Sequence, residues 1–376
     1  MRTSGYWHKS VLMRPTSCAL SERRRAAKGA AMTRTMQRVV LASRPSGAPT
    51  PDDFRLETAP LPAPGDGEML VRVLWLSLDP YMRGRMDDAP SYAAPVPLGG
   101  VMEGGAVAEV VASRNAAFAP GDIVAGRFGW ASHAVSDGAG VRAVDPSFGP
   151  VSAALGVLGM PGHTAWVGLT DIAQGKAGET IVVSAATGAV GSLVCQLAKR
   201  RGLRVIGVAG GAEKCAYAVS TLGCDACLDH RAAPDAAALS AEIAQAAPQG
   251  ADIYFENVGG KTLEAVLPAL NTHGRIVVCG MIAWYSGKGA AEAMPSPRLW
   301  RAILVKRLRV QGMIVFDHAD RFPAFLAEVG PLARDGAIVW RESVAEGLEA
   351  APRAFIALLE GGNFGKQLVR VAADAR

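Results

Sequence analysis

The stretch from residue 181 to residue 214 constrains the fold more than any other part of this 376-residue chain. It contains a β-branched run, a glycine-containing turn, a helical repeat and a second β-branched run, in the letters IVVSAATGAVGSLVCQLAKRRGLRVIGVAGGAEK. Strands that alternate with helices in this way build doubly wound parallel sheets. The pattern predicts an α/β fold, with strands at 181–184 and 204–208 and a helix at 190–199.

The turn after the first strand carries Gly188 and Gly191. In a βαβ unit, such glycines let the backbone and the helix N-terminus approach a pyrophosphate. The letters AATGAVG lack the full G-x-G-x-x-G spacing, so an ordinary tight turn between strand and helix is the alternative. The strand–turn–helix context favours a dinucleotide site.

The second strand ends at Ala209, Gly210 and Gly211, where no acidic residue follows. An NAD site normally places Asp or Glu about 20 residues past the glycine turn, on the ribose 2′-hydroxyl. Lys214 comes three residues after Gly211. A carboxylate would repel a 2′-phosphate, whereas a lysine attracts it. The sequence therefore predicts an NADP(H) site.

Length and composition favour a soluble enzyme of two domains. The chain is 50% hydrophobic and 19% charged, and no run has the apolar length of a membrane span. Residues 1–35 hold eight basic residues and one acid, so the remaining chain carries −2 of the net charge of +5. We therefore expect neither a nucleic-acid partner nor a membrane partner.

The first 35 residues lack the apolar core of a secretory signal. A targeting peptide and an upstream translation start, with Met32 or Met36 opening the protein, are the alternatives. We expect a disordered or spurious extension, because regular patterning starts at Met36. Apart from Cys18, the six cysteines lie in apolar contexts, which favours buried thiols and a cytoplasmic location.

The remaining chain divides into two parts that differ in sequence pattern. Residues 36–150 contain short strand-like runs punctuated by Gly, Pro and Asp, which predicts a barrel or sandwich. From residue 151 onward, strands alternate with helices. The predicted strands are 37–41, 69–75, 105–112, 123–128, 131–135, 226–228, 252–256, 275–279, 308–314, 338–344 and 367–371; the predicted helices are 213–222, 235–246, 262–270, 298–307, 321–334 and 350–360.

Six stretches resemble one family closely. They are LSLDPYMRGRM, LGMPGHTAW, AATGAVGS, FENVGG, GRIVVCGMIAWY and GGNFGKQLV. The family is the zinc-independent medium-chain dehydrogenase/reductases, in the prostaglandin reductase / leukotriene 12-hydroxydehydrogenase group that includes alkenal and curcumin reductases. The resemblance covers residues 36–372. It implies a GroES-like β-barrel domain at 36–155 with 325–376, and a Rossmann NADP-binding domain at 156–324.

The resemblance also implies a cofactor site between these domains. The pyrophosphate would lie on the glycine turn, the 2′-phosphate on Lys214, and the nicotinamide against later strand ends. Relatives usually carry a Tyr near the end of the third strand, where this chain offers His230 beside Arg231. Turn-forming roles for Asn257, Asn363 and His230 are the alternatives. The implied cofactor residues are Thr187, Gly188, Ala189, Val190, Gly191, Lys214, His230, Asn257, Cys279, Gly280, Met281, Ile282, Met313, Val315 and Asn363.

No metal site is expected. Zinc alcohol dehydrogenases of this superfamily use a Gly-His-Glu run and two cysteines, but the matching position is Gly100-Val101-Met102-Glu103. No cysteine lies between Cys18 and Cys195. Zinc needs three or four N or S ligands, which this part of the chain does not supply.

Without a metal, reduction of a conjugated C=C bond is the favoured chemistry. Hydride adds to the β-carbon, and hydrogen bonds stabilise the charge that develops on the carbonyl oxygen. Tyr81 and Tyr285 are the candidate donors, with structural roles as the alternative. A quinone reductase and a non-catalytic NADPH-binding protein are alternative functions. The resemblance also implies a homodimer acting on a small enone or enal.

Overall fold

The computed structural model describes residues 34–286 and 296–374. The first part of this chain is rich in antiparallel strands. Its strands are β1 (Thr35–Leu41), β2 (Phe54–Pro60), β3 (Met69–Ser77), β4 (Gly105–Ser113), β5 (Ile123–Arg127), β6 (His133–Ser136) and β7 (Arg142–Ala143). Thr35 belongs to the segment that we assigned to an extension; residues 1–33 lie outside the described chain.

β2 is absent from the predicted strands. It pairs antiparallel with β1, and Phe54 at its start is buried. The residues that follow Phe54 are mostly exposed, so the strand has a weak hydrophobic signal. The Pro- and Gly-rich loop before it also favoured an irregular structure.

The middle of the chain forms the predicted parallel sheet. Its elements are α1 (Met160–Val167), β8 (Thr180–Ser184), α2 (Gly191–Arg200), β9 (Arg204–Ala209), α3 (Ala212–Ser220), β10 (Ala226–Asp229), α4 (Ala236–Ala246), β11 (Ala251–Glu256), α5 (Gly260–Val266), β12 (Leu270–Val278), α6 (Ser296–Lys306) and β13 (Arg309–Gly312). The strand order β10-β9-β8-β11-β12-β13 confirms the doubly wound Rossmann arrangement.

One predicted helix in this unit was too long. The expected helix at 262–270 ends at Val266, and Leu270 already belongs to β12. Pro268 lies in the single turn between them. Proline has no backbone N–H to continue a helical hydrogen-bond ladder, which accounts for the early end.

The C-terminal segment returns to the first unit. It comprises α7 (Phe322–Arg334), β14 (Glu342–Glu346), α8 (Ala351–Leu359) and β15 (Lys366–Arg370). β15 pairs antiparallel with β3, so the barrel sheet has the order β14-β15-β3-β4-β5-β7, with β6 also on β3. Phe325 and Val329 of α7 instead pack in the core around Val183 and Phe255 of the parallel sheet.

No helix in the described ranges has the length and apolar character needed to cross a bilayer.

Candidate active site

A cavity of about 440 Å³ lies between the barrel sheet and the parallel sheet. The glycine turn after β8 and Asn257 after β11 line it, as do Cys279 after β12 and Met313 after β13. Open parallel sheets bind ligands at the carboxyl ends of their strands, where the strand order reverses. In this sheet the reversal falls between β8 and β11.

The glycine turn brings its backbone close to the cavity. Ala185 has a left-handed φ of 48°, and its carbonyl accepts a hydrogen bond of 2.8 Å from the Gly188 N–H. A Cβ at Gly191 would lie only 2.3 Å from that same carbonyl oxygen, so no larger residue fits there. α2 begins at Gly191, and its N-terminal amides suit an anion such as a pyrophosphate.

Three basic side chains surround the end of β9. Lys214 Nζ donates to the Gly361 carbonyl at 2.9 Å. A Cβ at Gly210 would lie 2.9 Å from both His230 Nε2 and Arg231 Nε. Burial lowers the pKa of Lys214 and the pKa of His230, and the positive charge of Arg231 lowers both further. A phosphate would relieve this mutual repulsion, so the donor set fits an NADP 2′-phosphate.

The structure gives Asn257 and Asn363 structural hydrogen bonds. Asn257 Nδ2 donates to the Ser184 carbonyl at 2.7 Å, which joins the ends of β11 and β8. Asn363 Nδ2 donates to the Gly365 carbonyl at 2.7 Å within its own turn. Both residues also line the cavity, so each can make these hydrogen bonds and still contact a bound cofactor.

Most of the predicted cofactor residues come together in the cavity. Met281 is the exception, because it does not line the cavity and is 41% exposed. Its backbone N–H instead donates to the Tyr285 hydroxyl at 3.2 Å. The predicted residues that line the cavity are Thr187, Gly188, Ala189, Val190, Gly191, Lys214, His230, Asn257, Cys279, Gly280, Ile282, Met313, Val315 and Asn363.

Both predicted hydrogen-bond donors, Tyr81 and Tyr285, line the same cavity. Burial raises the pKa of Tyr81, and the negative charges of Asp79 and Glu103 raise it further. Burial also raises the pKa of Tyr285. Both side chains are therefore neutral phenols near pH 7, able to donate a hydrogen bond to an oxyanion.

Cys279 brings a thiol into the cavity at the end of β12. Burial raises its pKa to about 12, and the negative charge of Glu256 adds to this effect. The thiolate is the nucleophilic form, so the protonated Cys279 thiol is a poor nucleophile near pH 7.

The cavity residues that the sequence analysis did not single out include three polar side chains, those of Asp79, Tyr92 and Lys366. Asp79 and Lys366 lie inside two of the stretches that carried the family resemblance, and that is the signal that could have drawn attention to them. Tyr92 lies in a Pro- and Ala-rich loop without periodicity, so its position in the cavity could not be deduced.

The chain matches two family models. Residues 37–144 match "N-terminal domain of oxidoreductase", and residues 189–330 match "Zinc-binding dehydrogenase". Despite that second name, no group of three or more His, Cys, Asp or Glu side chains in the described ranges is placed to hold a metal ion.

The NADPH-dependent curcumin reductase of Escherichia coli is 51% identical over 344 residues, which cover 90% of this chain and 97% of the relative. A 2-alkenal reductase (NADP(+)-dependent) of Nicotiana tabacum is 39% identical over 343 residues, covering 90% and 98% of the two chains. The crystal structure of CurA in complex with NADPH from Vibrio vulnificus has a TM-score of 0.84 at 49% identity, covering 90% of this chain and all of the other.

The chain therefore belongs to the zinc-independent medium-chain dehydrogenase/reductases, in the group that contains curcumin reductase, 2-alkenal reductase and prostaglandin reductase 1. The predicted family and its fold, a GroES-like domain with a Rossmann domain, are confirmed.

Proposed function

We propose that this protein uses NADPH to reduce the C=C bond of α,β-unsaturated ketones and aldehydes. The observation that carries the proposal is a single cavity that joins the cationic pocket at Lys214 to the neutral phenols of Tyr81 and Tyr285. The names of the curcumin and 2-alkenal reductases support the same reaction and the predicted cofactor, NADP(H).

In this proposal, the chain's own residues bind and orient the reactants. The glycine turn holds the pyrophosphate, while Lys214, His230 and Arg231 hold the 2′-phosphate. Bound NADPH supplies a hydride ion from C4 of its nicotinamide. Residues at the ends of β12 and β13 would hold the nicotinamide ring in place against the substrate, which is where positioning would contribute to the rate.

Tyr81 and Tyr285 donate hydrogen bonds to the carbonyl oxygen of the substrate. As hydride reaches the β-carbon, negative charge moves to that oxygen and forms an enolate. Because both phenols are partly buried and neutral, their hydrogen bonds strengthen as the charge develops.

Steady-state kinetics with three substrates test this function. NADPH consumption is measured with a simple enone and with a quinone, and NADPH formation is measured with NADP⁺ and a saturated alcohol. We expect turnover with the enone above that with the quinone, and none with the alcohol. Faster turnover of the quinone would favour the quinone reductase alternative. NADPH binding without turnover of any substrate would favour a non-catalytic protein.

We also propose a homodimer that works in the cytoplasm. β13 is an edge strand of the parallel sheet, and α6, which precedes it in the chain, has exposed apolar side chains at Trp300, Leu304 and Val305. A second copy of the chain would cover this face. The five cysteines of the described residues are free thiols, which suits a reducing compartment. Light scattering of the wild type and of Leu304→Glu tests the dimer, which the added charge should dissociate.

A further inference from the structure

We infer that Tyr92 is a further catalytic residue of this cavity, and that its hydroxyl gives the proton which reaches the α-carbon of the substrate. The inference rests on the proposed enone reduction. Tyr92 lies in the loop that precedes β4, and it lines the same cavity as Tyr81 and Tyr285. The Arg85 guanidinium lies 4.1 Å from the centre of the Tyr92 ring and 5.9 Å from the centre of the Tyr81 ring, so one cation lies close to both phenols.

The loop that carries Tyr92 is anchored by a buried cation. Arg85 is 1% exposed, and its guanidinium lies 4.1 Å from the centre of the Tyr92 ring. Arg85 Nη1 donates to the Ala93 carbonyl at 2.8 Å, and the Val96 N–H donates to the Arg85 carbonyl at 2.8 Å. Arg85 Nε also lies 3.0 Å from Glu103 Oε1. These contacts hold the Tyr92 ring at a defined place over the cavity.

The three phenols have different surroundings, and this difference assigns their roles. Partial burial and the charges of Asp79 and Glu103 raise the pKa of Tyr81, so Tyr81 retains its proton. Tyr285 is partly buried, and its hydroxyl oxygen accepts a hydrogen bond from the Met281 N–H. Tyr92 is 52% exposed, so water reaches it, and its ring lies against the Arg85 guanidinium.

The proposed step balances in atoms and charge. The hydride brings two electrons to the β-carbon, and the C=C π electrons move to form the enolate. A C–H bond then forms at the α-carbon as the Tyr92 O–H bond breaks, and bulk water returns a proton to the phenolate. One enone, one NADPH and one proton give one saturated carbonyl compound and one NADP⁺.

Tyr92→Phe tests the inference, because it keeps the ring over Arg85 and removes only the hydroxyl. The substrate is 2-methylcyclopent-2-enone, whose α-carbon becomes a stereocentre when it is protonated. We expect kcat to fall on the order of 10²-fold, as for loss of a general acid, with the KM for NADPH within about twofold of wild type. We also expect the enantiomeric excess at the α-carbon to collapse, because water then delivers the proton.

Tyr217→Phe is the matched control, because Tyr217 does not line the cavity. It should keep the kcat and the enantiomeric excess of the wild type. The inference is overturned if Tyr92→Phe retains both values, or if only the KM for the enone rises, which would make Tyr92 a binding surface. A wild-type protein that does not reduce the enone would instead contradict the proposed function itself.

Discussion

The ammonium of Lys366 lies 3.0 Å from Asp79 Oδ1, and both side chains are buried between β15 and the end of β3. Lys366 Nζ also donates to the Leu78 carbonyl at 2.6 Å, and Asp79 accepts a hydrogen bond from Ser77. Asp79 comes two residues before Tyr81 in the chain. This ion pair therefore joins the C-terminal return segment to the loop that presents a proposed catalytic phenol.

Removing Lys366 should destabilise the fold strongly. Lys366→Met leaves the Asp79 carboxylate buried without its cation, and such a loss costs about 3–5 kcal/mol. Arg334→Met is the control, because Arg334 and Asp335 form an ion pair at 2.9 Å whose members are both exposed. Because exposed ion pairs contribute little, that variant should leave the free energy of unfolding close to the wild-type value. Urea unfolding measures both changes, and a cost for Lys366→Met as small as that of the control would contradict the role of the pair.

Lys214→Ala should change coenzyme preference. Lys214 is proposed to bind the 2′-phosphate, and a hydrogen bond to a charged group contributes about 1.5–3 kcal/mol. We expect the KM for NADPH to rise roughly 10–100-fold, while the KM for NADH changes by less than about twofold. Lys176→Ala, at an exposed lysine outside the cavity, should alter neither value. Equal effects of Lys214→Ala on the two coenzymes would exclude the phosphate contact.

Tyr81→Phe and Tyr285→Phe should each lower kcat. Loss of one hydrogen bond to a developing oxyanion costs about 10²–10³-fold in rate. The KM for NADPH should stay close to the wild-type value, because neither phenol is proposed to bind the phosphates. Stopped-flow measurement of NADPH oxidation separates the hydride step from product release. Unchanged rates in both variants would show that neither tyrosine stabilises the enolate.

The stability of the protein should depend on pH through His163. Its ring packs against Phe322 and Phe325, with centroids 5.2 and 5.5 Å away. Burial lowers its pKa to about 4, and the positive charge of His318 adds to this effect. Because the folded-state pKa lies below the unfolded value of about 6.5, the unfolded chain binds more protons between these values. The contribution of His163 to the free energy of unfolding is therefore at its full value above about pH 6.5, and it declines as the pH falls toward 4.

Urea unfolding at several pH values measures this dependence. His163→Leu should remove up to about 1.4 kcal/mol per pH unit from the slope between pH 6.5 and pH 4. His273→Asn is the control, because His273 is exposed and Asn tolerates its φ of 66°. An unchanged slope in His163→Leu would show that His163 is not the titrating group.

The sequence predicted the parallel sheet well, because its strands are short β-branched runs between helices of regular period. The glycine turn and Lys214 followed from local spacing alone. β2 was not predicted because only Phe54 at its start is buried, and most of the residues after it are exposed. The helix after Asn257 was extended too far, because the pattern of apolar residues continues through the turn at Pro268.

Long-range contacts of the site were less accessible to prediction. The hydrogen bond from Lys214 to Gly361 joins positions 147 residues apart, and nothing in either segment indicates the other. The position of Tyr92 depends on Arg85, whose buried side chain organises a loop without regular pattern. The family resemblance predicted Tyr81 and Tyr285 as hydrogen-bond donors, but it did not predict that Tyr92 of the barrel unit also lines the cavity.

The destination of the transferred hydride tests the central claim most directly. The protein would be incubated with a linear 2-alkenal and NADPH that carries deuterium at both C4 positions, and the product would be analysed by NMR. We predict one deuterium at the carbon β to an intact carbonyl group. Deuterium on the carbonyl carbon, in an allylic alcohol that keeps its C=C bond, would contradict the account.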